Sequence, residues 1–245
     1  MPNTQPKKYT IEQPIVFLPG TLCDERIFNA CWHYLDIPMR AFVPLQWAED
    51  LAQMKMLTAD RLAYFDDKVH LVGFSMGAYI AAMSALENSS RIKSLTLIAS
   101  TAGEFSELDK KSRQQTLNLI KNKQYKGMSD KRLEQFFHPA NQKNGELKTL
   151  VSQMEQDLGA GVLTAQYRAT TNRANLIPKL AKTKFQINLI AGESDNFVSK
   201  QSFAAMSAAL PNANSQVIKN AGHMIPIEQP ELLAKYLAEN INTLS

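Results

Sequence analysis

The sequence is poor in the residues that mark several protein classes. Only two cysteines, Cys23 and Cys31, occur in 245 residues. Two thiols cannot build a disulfide framework, and no histidine joins them at zinc-ligand spacing. Neither a metal site nor any other cofactor is therefore expected, and a reducing, cytoplasmic compartment is the simplest setting. No apolar run approaches the ~18 residues needed to span a bilayer. Lys7 and Lys8 are not followed by the apolar stretch of about 7–15 residues that a secretory leader requires, so none is expected. No Gly-x-Gly-x-x-Gly turn is present, which argues against a dinucleotide site. There is no internal repeat and no low-complexity segment. Disorder throughout is excluded as well, because apolar residues make up 44% of the chain and charged residues 20%.

Acidic residues are scarce in the middle of the chain. Between Glu104 and Lys184 there are 15 Lys and Arg against 8 Asp and Glu, a net +7 in a chain whose formal net charge is +4. Such a block is a solvated helical surface or a docking face for an acidic partner. Nucleic acid is not expected, since aromatics do not interleave with the basic residues and no nucleic-acid fold signature appears.

Short apolar runs recur along the chain: Ile15–Leu18, Ala41–Val43, Val69–Val72, Leu95–Ala99, Ile187–Ala191 and Gln216–Ile218. Several stop at Gly or Pro, as buried parallel strands do. Helical stretches fall between them, the clearest being Leu51–Tyr64, Met76–Leu86, Lys200–Leu210 and Pro230–Asn240. This alternation predicts a mostly parallel, twisted sheet flanked by helices, an α/β class. Residues 103–184 break the pattern. Leu147, Leu150, Val151, Met154 and Leu158 keep helical spacing, and Leu133, Phe136 and Phe137 repeat a shorter version behind a Ser129 N-cap. About 80 residues of helix exceed what a crossover needs. The expected organisation is a core of residues 1–102 and 185–245 carrying a helical insertion at 103–184.

The chemistry starts at Ser75. Val69–Val72 runs into Gly73-Phe74-Ser75-Met76-Gly77, and an alanine-rich helix follows. Gly-x-Ser-x-Gly between strand and helix is the pattern of a nucleophile elbow: a strained turn that presents the hydroxyl and is passable only for small neighbours. A serine hydroxyl needs a base, and the base needs an orienting acid. Of four histidines, His70 lies within the strand, His33 follows Trp32, and His138 precedes Pro139 in the insertion. His223 lies in a loop after the last strand, at the sheet edge where open α/β sheets bind ligands. Asp195 follows the fifth strand at the same edge, with Glu193 as its rival; the turn should deliver Asp195 toward the histidine loop. The candidate catalytic set is Ser75, Asp195 and His223.

Together these residues resemble the α/β-hydrolase superfamily. Gly73–Gly77 is similar to its elbow and Gly192-Glu193-Ser194-Asp195 to its acid turn. Gly222-His223 with Pro226, Glu228 and Pro230 is similar to its histidine loop, and Phe17-Leu18-Pro19-Gly20-Thr21 to its turn after an early strand. Phe28 falls where many relatives place a tryptophan. The resemblance covers the whole chain, the insertion corresponding to a helical cap. In style it is nearest to small capped serine carboxylesterases, including the pimeloyl-carrier-protein methyl esterases. Two departures stand out: Pro19 replaces the usual histidine before Gly20, and Pro44–Asp50 replaces a common Asp-x-x-Gly-x-Gly-x-Ser stretch.

The resemblance implies an oxyanion hole of two backbone N–H groups, Met76 and Thr21, with Leu22 as the second choice to Thr21. Cys23 nearby is a small buried residue or a reactive thiol. Expected pocket walls are Leu22, Trp47, Phe74, Phe136, Phe137, Leu163 and Tyr167; ordinary helix packing is the other reading of the cap aromatics. The implied activity is hydrolysis of a small carboxylic ester or thioester through an acyl-enzyme, with an acidic acyl carrier as a candidate partner for the basic cap. The alternatives are a non-hydrolytic enzyme on the same fold (acyltransferase, C–C hydrolase or lyase, cofactor-free peroxidase) or a non-enzymatic ligand receptor.

Overall fold

The structure, a computed structural model, describes residues 7–244. In chain order its strands are β1 (Tyr9–Thr10), β2 (Ile15–Leu18), β3 (Leu35–Asp36), β4 (Arg40–Phe42), β5 (Val69–Phe74), β6 (Ile92–Ile98), β7 (Gln186–Gly192) and β8 (Asn214–Ile218). Its α-helices are α1 (Arg26–Trp32), α2 (Leu51–Ala63), α3 (Met76–Glu87), α4 (Glu107–Lys121), α5 (Asp130–Glu134), α6 (Gly145–Thr170), α7 (Ile177–Leu180), α8 (Lys200–Ala209), α9 (Ile225–Glu228) and α10 (Pro230–Asn242). Six strands form one sheet in the order β4-β2-β5-β6-β7-β8, every pairing parallel. The two-residue strands β1 and β3 pair separately.

Alternation along the strands divides the core into two layers. Val16, Leu18 and Leu71 pack with Met54 and Leu62 of α2, Ile80 of α3, and Phe203 and Met206 of α8. Ile15, Phe17, Val72 and Phe74 face the other way, onto Phe28 of α1 and Leu233, Leu237 and Ile241 of α10. The interior strands β2 and β5 are buried at every residue, which is why they read as unbroken apolar runs rather than alternating ones. Truncating a fully buried ring such as Phe17 would cost about 3–5 kcal/mol.

Between β6 and β7 the chain is helical. The start of α4 is set by Ser106, whose Oγ accepts the Asp109 N–H while the Asp109 carboxylate reaches back to the Ser106 N–H, a capping box. Asn144 caps α6 by accepting from Glu146 and Leu147. Helix α6 is interrupted at Gly159, with φ 73°, a left-handed conformation that glycine adopts without a Cβ clash. The apolar spacing from Leu147 to Leu158 therefore covers only its first half. Leu133, Phe137, Val151 and Met154 join the core layer on the α1/α10 side, which fastens the helical segment to the sheet. Among the described residues no helix is long and apolar enough to cross a membrane, and both cysteines are buried and free.

Candidate active site

Strand β5 leads into Ser75, and α3 begins at the next residue. Ser75 has φ 52° and ψ −114°, outside the regions open to most L-residues, at a cost of ~1–3 kcal/mol that the surrounding packing must offset. The glycines at either side leave the room for this turn. A Cβ on Gly73 would lie 2.4 Å from Ala78 Cα, and one on Gly77 would lie 2.4 Å from the Pro19 carbonyl oxygen. Ser75 N–H donates to the Ile98 carbonyl (2.8 Å), which ties the turn to β6.

The sheet's C-terminal edge gathers the three candidate catalytic side chains. Ser75 Oγ lies 2.9 Å from His223 Nε2. His223 Nδ1 lies 2.9 Å from Asp195 Oδ2 and 3.1 Å from Oδ1. Asp195 follows β7 in a loop held by a Ser194 N–H bond to the Ala221 carbonyl, and its Oδ1 accepts the N–H groups of Phe197 and Val198 at 2.7 and 3.0 Å. Its side chain is fully buried. Burial raises the carboxyl pKa, but His223 and the two amides outweigh it and leave the group below its ordinary value. The rival Glu193 faces elsewhere and accepts the Asn220 N–H at 3.2 Å.

The histidine loop is fixed from both sides. His223 N–H donates to the Phe136 carbonyl at 2.8 Å. Glu228, buried at the base of the loop, accepts from Gly222 N–H (2.8 Å), His138 N–H (2.7 Å) and Asn141 Nδ2 (3.0 Å), so one carboxylate joins this loop to the helical segment. The imidazole packs among Phe74, Phe136 and Phe197, with ring centroids 5.4, 5.9 and 4.9 Å away. His70 is buried in β5, its Nδ1 2.7 Å from Ser94 Oγ. Burial and nearby Lys93 pull its pKa down to about 4.

Ser75 and His223 open into a cavity of about 810 Å³, within the usual size range of small-molecule sites. Of the expected walls, Leu22, Phe74, Phe136, Leu163 and Tyr167 line it, and so do Thr21 and Met76, the expected oxyanion donors. Two expected walls do not. Trp47, the last residue of a short 3-10 turn after β4, is 71% exposed and is not among the residues that line the cavity. Phe137 is fully buried in the core; the chain turns its neighbour Phe136 to the cavity and Phe137 away. Cys23 borders the cavity but is buried, and burial pushes its thiol pKa up to about 12, which opposes a thiolate role.

The three candidate oxyanion donors differ in availability. Leu22 has φ 51°, and its N–H donates to Gln166 Oε1 of α6 at 2.9 Å. Thr21 N–H has no partner among the described residues, and Met76 N–H opens α3, where the first-turn amides lack intrahelical acceptors. Sequence reading missed Gln166, Tyr79, Phe197, Arg113 and Arg173. None lies in a motif, and only Phe197, two residues past Asp195, had a positional signal. Among the described residues no cluster of His, Cys, Asp and Glu is arranged to hold a metal ion.

A parallel sheet with a strained Ser turn and a facing Asp–His pair defines the class. The chain belongs to the α/β hydrolase fold family, whose model matches residues 48–230. Solved structures agree on the fold. A thermophilic esterase from Thermogutta terrifontis, malate bound, superposes with TM-score 0.79 at 19% identity, covering 97% of this chain and 92% of that one. MenH from S. aureus gives 0.79 at 21% identity, covering 97% of each chain. A putative non-heme bromoperoxidase, BpoC, from Mycobacterium tuberculosis H37Rv gives 0.77 at 17%, covering 96% and 94%. A search of curated proteins found no match. Such identities speak for a shared architecture, with esterases among its bearers.

Proposed function

We propose that the protein is a serine hydrolase that cleaves a carboxylic ester or thioester through an acyl-enzyme, with Ser75 as nucleophile, His223 as base and Asp195 as its orienting acid. The observation that carries this reading is the unbroken contact chain from Ser75 Oγ to His223 to Asp195 on a strained turn facing a cavity.

With Asp195 ionised, the His223 Nδ1–H donates to it and leaves Nε2 free to accept the Ser75 proton. Ser75 Oγ then attacks the acyl carbon, and its proton passes to Nε2. The resulting oxyanion lies against Met76 and Thr21 N–H, charge-assisted bonds each worth about 3 kcal/mol in the transition state. Thr21 is the donor of choice because Leu22 N–H is already committed to Gln166. The imidazolium, stabilised by Asp195, protonates the leaving alcohol or thiol. Water, deprotonated by the same nitrogen, cleaves the acyl-enzyme and returns the proton to Ser75. The rings of Phe74, Phe136 and Phe197 limit water around the imidazole, which strengthens these interactions.

Acyl-chain profiling with p-nitrophenyl esters tests the reading. Ser75-dependent release with a chain-length optimum is expected from the wild type, and Ser75→Ala should lose several orders of magnitude, up to ~10⁶. Full activity in Ser75→Ala would refute it. Product analysis with added alcohol or peroxide separates hydrolysis from acyl transfer and peroxidase chemistry.

A further inference from the structure

Three arginines line the cavity, Arg113, Arg132 and Arg173, and none is in an ion pair among the described residues; Arg132 lies over Phe136 and Phe197 and donates to Gln135, whereas Arg113 and Arg173 come together at one ring. Arg113 projects from α4, and Arg173 lies just past α6. Both rest against one ring, Phe105, with guanidinium carbons 4.2 and 3.6 Å from its centroid. Arg113 also lies over Tyr167 (4.3 Å) and donates through Nη1 to Thr170 Oγ1 (3.0 Å). Arg173 lies over Tyr79 (4.9 Å), and its Nε is buried without a hydrogen-bond partner. Among the described residues neither arginine has an ion pair. Glu104 and Asp109 line the same cavity; the Asp109 carboxylate caps Ser106 and attracts both guanidinium groups without forming an ion pair with either.

Two desolvated like charges close together are unfavourable, and aromatic faces offset only part of the cost. Burial, followed by repulsion from Arg113, draws the Arg173 pKa down to about 10, so it stays charged at neutral pH. A protein that keeps such a pair facing a cavity has donors ready for an oxyanion, and guanidinium forks match carboxylate and phosphate geometry. Position adds to this. Tyr79 is one helical turn beyond Ser75 on α3, and the hydroxyl end of its ring is tied to the Ala174 carbonyl, next to Arg173.

We propose that Arg113 and Arg173 form an anion subsite that receives a carboxylate or phosphate carried by the substrate at a distance from its scissile ester. The subsite gives the substrate class for the proposed hydrolase and rests on that reading: an ester bearing an anionic group, held in the cavity that Ser75 also lines.

The test compares anionic esters with neutral counterparts of like size. On the acyl side these are mono-(4-nitrophenyl) glutarate and 4-nitrophenyl pentanoate. On the alcohol side they are 4-carboxyphenyl and 4-phosphonooxyphenyl butanoate against 4-tolyl butanoate, which separates carboxylate from phosphate. At least one anionic ester should exceed its counterpart tenfold or more in kcat/KM. Arg113→Met and Arg173→Met should each bring that ratio toward one. Ser75-dependent turnover with no anionic preference, or a preference unchanged in both Arg variants, overturns the subsite and leaves the hydrolase standing. Absence of turnover on every ester overturns the hydrolase reading instead. Thermal shifts then decide the subsite alone: glutarate or inorganic phosphate should raise Tm in wild type and Ser75→Ala but not in the Arg variants. No shift, or an equal shift in the Arg variants, refutes it.

Discussion

Gln166 Oε1, on α6, accepts the N–H of Leu22 at 2.9 Å across 144 residues of sequence. The bond is buried, and it joins the helical segment to the loop that carries Thr21. It also occupies the Leu22 amide, while the Thr21 amide of the same loop has no partner among the described residues. Gln166→Leu leaves the Leu22 amide without its acceptor, a loss of about 1–3 kcal/mol. The expected result is a lowered Tm together with a kcat reduced by roughly 5–100-fold and a smaller change in KM, since the loop serves the transition state more than the ground state. Stopped assays on a short p-nitrophenyl ester with a parallel melting curve measure both. A lowered Tm with kcat unchanged would reduce Gln166 to a stabilising contact.

The two acidic candidates of the β7 turn separate cleanly. Asp195 holds His223 Nδ1, whereas Glu193 holds a backbone amide of the following loop. Asp195→Asn should lower kcat by roughly 10³–10⁴-fold while the protein remains folded, because the wrong tautomer is favoured. Glu193→Gln should leave kcat within a few-fold. Steady-state kinetics on both, with circular dichroism for the fold, distinguishes them; the reverse ranking would reassign the acid.

His70 predicts an acid-sensitive fold. Its native pKa of about 4 lies below the ordinary value of 6.5. Between those values the unfolded chain binds the extra proton, so stability is full above about pH 6.5 and falls as pH drops toward 4. The lowered pKa corresponds to about 3 kcal/mol. His70→Asn should flatten this part of the Tm–pH curve relative to wild type, whatever other groups contribute. Parallel slopes from pH 7 to pH 4 would show that His70 is not the sensor.

The architecture was legible because buried parallel strands leave unbroken apolar runs, and all six runs became strands of the one sheet. The meeting of the candidate residues Ser75, Asp195 and His223 was legible because each follows a strand at the edge where loops converge. The paired strands β1 and β3 were not, since two residues carry no period. Gln166, Arg113 and Arg173 were also invisible. Gln166 and Arg113 lie on helices, where a polar residue reads as solvent-facing, and Arg173 lies in the irregular stretch after α6; only the tertiary fold turns these three inward. Trp47 and Phe137 show the converse error. An aromatic near a pocket in sequence can lie outside it at the surface, as Trp47 does, or beneath it in the core, as Phe137 does.

The most direct test of the central claim is covalent. The protein would be treated with a fluorophosphonate, digested, and mapped by mass spectrometry, with Ser75→Ala alongside. A single phosphonyl adduct on Ser75, absent from Ser75→Ala and strongly slowed in Asp195→Asn, is the predicted result. Folded wild type that takes no label, or takes it at another residue, would contradict a Ser75 hydrolase.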